Sequence, residues 1–162
     1  ALGRLTDLGW GTRLRELLAD GAPDQPLPEP MVDGIVKVLA AWDWKERPTA
    51  VVSIGSVSRP GLIADTARRI AQIGRLEYLG AVEPAVPGRR QAPRGNSAQR
   101  LKQVHDAFVL PPGLREAVAA HQGPILLVDD QVDTGWTMTV VARMLRQAGA
   151  GAVLPFALAT AA

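Results

Sequence analysis

Ile125 to Thr137 reads ILLVDDQVDTGWT. Four apolar residues, Ile125 to Val128, have the length and composition of a buried strand and run into two adjacent carboxylates, Asp129 and Asp130. A small-residue turn follows, Thr134-Gly135-Trp136-Thr137, and opens a segment with helical spacing of apolar residues. Such a turn can aim successive backbone N–H groups and the Thr134 and Thr137 hydroxyls at a phosphate, helped by the positive end of the helix. The acid pair upstream is placed to accept hydrogen bonds from ribose hydroxyls and to attract Mg2+. Two acids closing a buried strand are unfavourable unless a ligand, a metal or a hydrogen-bond network compensates them. The plainer alternative is a strand-to-helix turn whose polar residues only cap the helix. A Walker-type loop is excluded, because no Gly-x-x-x-x-Gly-Lys-Ser/Thr occurs in the chain.

Working outward, the chain alternates strand and helix patterns. Residues 1–20 hold a short amphipathic helix with Trp10 in a Gly-flanked turn, and GAPDQPLPEP (21–30) has the composition of a linker. We therefore expect residues 1–27 to be a helical extension with a Pro-rich linker, and residues 28–162 to be the domain proper. A helix is expected from Met31 to Trp44, a strand over Ala50–Ile54, and a helix over Gly61–Ile73 stopped by Gly74. A short strand is expected at Glu77–Leu79, a long loop over 83–96, a helix from Ser97 to His105, and a strand at Phe108–Leu110. Leu114–Ala120 is helical in pattern. After the 125–137 stretch comes a helix to Ala148, then a last strand, Val153–Ala159, where Pro155 signals an edge or a bulge. Strands alternating with helices imply an α/β fold, a doubly wound and mainly parallel sheet. Ligands of such sheets bind beyond the carboxyl ends of the strands, where the Asp129–Thr137 turn falls.

At 162 residues the chain is long enough to bury a core, and its apolar fraction of 47% is ordinary for a globular domain. A formal charge of +2 does not by itself imply nucleic acid or membrane binding. Of 18 basic residues all but Lys37, Lys45 and Lys102 are arginine, whose planar fork suits phosphate and carboxylate. The absence of cysteine removes disulfides and thiolate metal sites and fits a reducing cytoplasm. No apolar run approaches the ~20 residues of a membrane span, and no signal-peptide pattern opens the chain. It begins at Ala1, as a processed terminus or a piece of a longer polypeptide would.

Three further groups are candidates. Ser56-Val57-Ser58-Arg59 follows the first strand of the domain and offers N–H groups and one guanidinium to an anion; the alternative is a simple strand-to-helix turn. Between Glu83 and Asp106 no acid interrupts Arg89, Arg90, Arg94, Arg100 and Lys102, a charge run suited to a polyanion, to nucleic-acid phosphates or merely to solvent. Asp133, inside the turn, is either a helix cap or a positioned base. His105 and His121 are isolated and expected to be structural or on the surface, Trp42 and Trp44 are expected against the sheet, and Trp136 stands at the mouth of the turn.

The 125–137 stretch resembles the phosphoribosyl pyrophosphate (PRPP) motif of type I phosphoribosyltransferases: four apolar residues, two acids, a short variable run, then Thr-Gly-x-Thr. The resemblance implies that Asp129, Asp130, Thr134, Gly135, Trp136 and Thr137 bind PRPP or a nucleoside monophosphate. It places Mg2+ at Asp129 and Asp130, directly or through ligand or water. It makes Ser56–Arg59 the pyrophosphate loop, although this loop lacks the usual glycine-rich pattern. It further implies that Arg89, Arg90, Arg94 and Arg100 belong to a flexible loop closing over pyrophosphate, and that Asp133 is the base for an acceptor. QAPRGNSAQRLKQVHDAF (91–108) is similar to the ComF-like branch. LTDLGWGTRLRELL, GNSAQR and DTGWTMTVVARMLRQAGAGAVLPFALA look like the C-terminal phosphoribosyltransferase-like region of RecQ-family ATP-dependent DNA helicases from actinobacteria. That likeness implies a DNA-linked parent protein and leaves a homo-oligomer open; the helicase motor's own motifs are absent. A base-recognising hood, as in nucleobase-salvage members, has no evident counterpart, which favours a binding module over a transferase.

Overall fold

A computed structural model describes residues 1–85 and 107–161. Six strands form one sheet: β1 (Gly3–Arg4), β2 (Ala50–Ile54), β3 (Glu77–Pro84), β4 (Phe108–Val109), β5 (Ile125–Val132) and β6 (Val153–Thr160). Their order is β1-β6-β5-β2-β3-β4, parallel throughout except for the antiparallel β3–β4 pair. The helices are α1 (Trp10–Leu18), α2 (Glu29–Ala41), α3 (Pro60–Gly74), α4 (Pro112–Ala120) and α5 (Trp136–Gln147). The expected doubly wound α/β architecture is the one observed.

β2 and the first half of β5 sit at the sheet's centre and are covered on both faces, which is why AVVSI and ILLV are continuous rather than alternating. Their side chains divide between two cores. Val51, Leu126 and Val128 join Leu14, Leu17, Met31, Ile35, Leu62 and Ile70 of α1, α2 and α3 on one face. Val52, Ile54, Ile125 and Leu127 join Leu114 and Val118 of α4 and Val141 and Leu145 of α5 on the other.

Several expectations change. The first 27 residues supply a strand as well as a helix: β1 pairs with Ala159 and Thr160, and Leu2, Leu14, Leu17, Leu18 and Leu27 lie in the main core. The Pro-rich segment is fastened to α3, with Leu27 N–H donating to Asp65 Oδ2 (2.9 Å) and Arg69 Nη1 to Leu27 O (3.0 Å). β3 extends to Pro84 rather than Leu79. Helix α3 includes Gly74 and is capped by Arg75, a non-glycine residue with φ 54°, where Leu76 N–H closes on Ala71 O at 2.8 Å. Pro155 stands opposite Leu127, short of the point where β1 joins β6, so an edge is locally what it occupies. Trp42 and Trp44 stack on each other at 4.5 Å between centroids, beyond the end of α2; Trp44 packs against the main core as expected, whereas Trp42 is exposed. His121 is structural: Nε2 meets Thr49 Oγ1 at 2.8 Å, at the amino ends of the strands. The 97–105 helix lies outside the described residues.

Candidate functional site

From β2 the chain passes through α3 to β3 on one side; from β5 it passes through α5 to β6 on the other. Right-handed crossovers in opposite directions put α3 and α5 on opposite faces, so the carboxyl ends of β2 and β5 part at a topological switch point. Residues 55–59 and 129–137 enter this crevice from its two sides.

On the β2 side, Gly55 permits a close approach: its N–H donates to Val82 O at 2.7 Å, and a Cβ there would lie 2.9 Å from that same oxygen. Ser56 Oγ donates to Asp130 Oδ2 and accepts from Arg59 N–H, both at 3.2 Å. Arg59 is 3% exposed, and its Nε lies 3.5 Å from Asp130 Oδ2. That nitrogen has no hydrogen-bond partner among the described residues. Val57 and Ser58 face solvent. The structure therefore joins the loop after β2 to the acid pair, but with Arg59 turned inward.

On the β5 side, the strand does not end before the acids. It continues to Val132, with Asp129 opposite Ala157 and Gln131 opposite Ala159. Asp130 is fully buried and Asp129 nearly so. Asp129 Oδ1 accepts the Asp130 N–H at 2.8 Å. A buried carboxylate needs a partner charge, and Arg59 supplies it for Asp130. This compensation inside the protein lets acids stand within a strand, which the sequence reading assigned to a ligand or a metal as readily as to a network.

Past Val132 the chain turns outward. Asp133 and Thr134 are exposed, and Trp136 and Thr137 are half-buried. Gly135 has φ 77°, a left-handed conformation that favours glycine, and a Cβ on it would meet nothing within 4 Å. Gly135 is itself the N-cap of α5 and has no side chain with which to cap the helix. Asp133 is thus not the cap that one reading made it. Thr139 Oγ1 donates to Gly135 O at 2.9 Å and steadies the turn from within the helix.

The corresponding helix end on the β2 side is closed. Asp24, in the Pro-rich segment, accepts the Gly61 N–H at 2.7 Å and the Leu62 N–H at 2.8 Å in the first turn of α3. Nothing in the sequence near Asp24 or Gly61 announces this contact, because the partners are remote along the chain. Arg89, Arg90, Arg94 and Arg100 lie outside the described residues. The segment carrying them leaves at Ala85 and returns at Ala107, whose backbone groups are joined at 2.7 Å beyond the carboxyl end of β3.

The two acids differ in how they could meet Mg2+, since Asp130 is the more deeply buried and Asp129 the nearer to solvent. Asp130 is buried and its charge is answered by Arg59, and no group of three or more potential ligands occurs among the described residues. No helix there is long and apolar enough to cross a membrane.

No protein-family model matches the chain, and no curated protein does. Solved structures do. One described as the allosteric regulatory enzyme of purine biosynthesis is 20% identical over 90% of this chain and 30% of its own, with a TM-score of 0.55. The purine phosphoribosyltransferase of Pyrococcus horikoshii OT3 is 15% identical over 82% of this chain and 71% of its own, with a TM-score of 0.47. A hypoxanthine phosphoribosyltransferase of Trypanosoma cruzi is 14% identical over 81% and 70%, with a TM-score of 0.44. The fold of this chain is the mixed α/β, mainly parallel fold of the type I phosphoribosyltransferases.

Proposed function

We propose that this domain binds a ribose 5-phosphate ligand, PRPP or a nucleoside monophosphate, in the crevice between β2 and β5. The observation that carries this is the turn at Gly135: a helix that starts at a left-handed glycine, beside the acid pair, at the sheet's switch point. Backbone N–H groups of Thr134 to Thr137 and the threonine hydroxyls hold the 5-phosphate, and Asp129 is the acid nearer to solvent for a ribose hydroxyl. Mg2+ enters with the ligand, on the ligand's own oxygens and water, rather than on a cage of protein carboxylates.

In the wider setting we propose an accessory domain of a RecQ-like DNA helicase, with the arginine-rich segment 86–106 as its contact with DNA phosphates. What supports this is the sequence likeness together with a basic run rooted at the sheet's carboxyl end. A second reading, a ComF-like transferase moving ribose 5-phosphate from PRPP to an acceptor, is favoured by one observation: Asp133 is exposed at the turn and does not cap α5.

The test is a melting experiment with ribose 5-phosphate and Mg2+. Ligand that binds only the folded state stabilises it by about 2.7 kcal/mol at a hundredfold excess over Kd. We expect a rise in Tm that Gly135→Ala removes. An unchanged rise in that variant would move the phosphate elsewhere.

A further inference from the structure

We infer that the groove between α5 and the start of β6 docks an acidic peptide segment of a protein partner. The segment seats an apolar side chain in the groove and meets Arg143 and Arg146 with its carboxylates. This inference stands apart from the ribose-phosphate reading and goes beyond it.

The groove has a volume of about 580 Å3 and is lined by Met138, Ala142, Val153 and Pro155, with Arg143 and Arg146 beside them. That volume falls within the ~300–1,000 Å3 of concave sites that hold a ligand. The sheet's edge leaves it open. β1 pairs only with Ala159 and Thr160, so among the described residues no strand lies beside Val153 to Phe156 on the side away from β5. Pro155 is exposed there and has no N–H, which blunts the edge against a further strand. Contact at this place is therefore made by side chains rather than by extending the sheet.

Charge selects the partner. Arg143 and Arg146 stand about one turn apart on α5, and both are exposed. Neither joins an ion pair among the described residues, whereas Arg59 and Arg69 each face a carboxylate. No acid occurs from Thr134 to Ala162, so neither α5 nor β6 answers the two guanidiniums. Arg146, in the last turn, suits the negative end of α5; Arg143, a turn earlier, has no such role. Guanidiniums beside an apolar lining fit a segment that brings carboxylates and one large apolar side chain together. A nucleic-acid strand fits less well, because the lining offers no aromatic ring on which a base could stack. A second copy also fits less well, since a twofold contact brings the same two arginines of both copies to one seam.

The test selects short random peptides from a display library on the full chain and, in parallel, on the Arg143→Glu/Arg146→Glu double variant. Peptides enriched on the unaltered chain should carry several acids around a large apolar residue. The strongest of them, synthesised, should bind more weakly as salt rises and lose about tenfold or more in affinity to the double variant. Ala142→Leu, which narrows the groove and keeps both arginines, should weaken the same peptide. If the double reversal does not fold, Arg143→Gln with Arg146→Gln removes the charges without adding repulsion. Enrichment of no acidic family, or binding that survives either substitution in a folded chain, would overturn the inference. So would a single-stranded oligonucleotide being what the reversal releases, or a dimer in sedimentation that the reversal dissociates.

Discussion

The loops after β2 and β5 leave one crevice from adjacent strands, each a short polar turn running into a helix, and they treat the helix end in opposite ways. After β2, two N–H groups of α3 are answered by Asp24 and the loop's guanidinium by Asp130. After β5, a left-handed glycine is the N-cap of α5 and brings no side chain to cap it. Both loops carry residue types suited to an anion, so composition does not distinguish them. What distinguishes them is whether the protein supplies the anion. Availability of a donor is a tertiary property, and the β2 loop shows a motif-like stretch turned to holding its own fold together.

The largest effect expected from breaking this contrast is at Asp130. Asp130→Ala leaves Arg59 as an uncompensated buried charge, and removing one partner of such a pair costs about 3–5 kcal/mol. Urea unfolding should show that loss, and adding Arg59→Met should restore part of it through a coupling that a double-mutant cycle measures. A loss below ~1 kcal/mol for Asp130→Ala would mean that the two loops are not tied by this pair.

Next comes Gly135. Alanine there meets no atom, so its cost is conformational alone, about 1–2 kcal/mol for a left-handed residue with a Cβ. The same variant should lose ribose 5-phosphate affinity. Asp24→Ala follows, with about 0.5–2 kcal/mol for a lost helix cap and no weakening of ribose 5-phosphate binding. If Asp24→Ala abolished ribose 5-phosphate binding, the two helix ends would not be independent seats.

Much of this was legible in the sequence, and the misses have physical reasons. The continuous apolar runs at Ala50 and Ile125 marked central strands, and the Gly135 turn marked a helix start, because both signals are local. β1 has two residues, too short for any periodicity. β5 was cut at Val128 because burying carboxylates is unfavourable, and the compensating Arg59 stands far off in sequence. The Pro-rich segment passed for a linker because Asp24 and Leu27 act on α3, through bonds spanning |i−j| of 37 and 38 residues. Asp133 looked like a cap from its position, whereas Gly135 holds that place.

The smallest expected change in stability is at Asp133, and it tests what the open side of the crevice is for. The residue is exposed and does not cap α5, so Asp133→Asn should shift unfolding by no more than ~0.5 kcal/mol. Ribose 5-phosphate affinity should hold too, because the phosphate seat relies on backbone donors and threonine hydroxyls. If the domain is an accessory module, nothing further changes, and no nucleobase offered with PRPP releases pyrophosphate from either protein. If it is a transferase, the wild type releases pyrophosphate with its acceptor and Asp133→Asn loses about 10²–10⁴-fold of that rate at unchanged affinity. The burial of Arg59 favours the first outcome: a transferase must hold the leaving pyrophosphate, and this one guanidinium of the β2 loop faces Asp130. Turnover with unaltered Arg59 would show that the leaving group is held from elsewhere, by the exposed Val57 and Ser58 of that loop or by the arginines of 86–106.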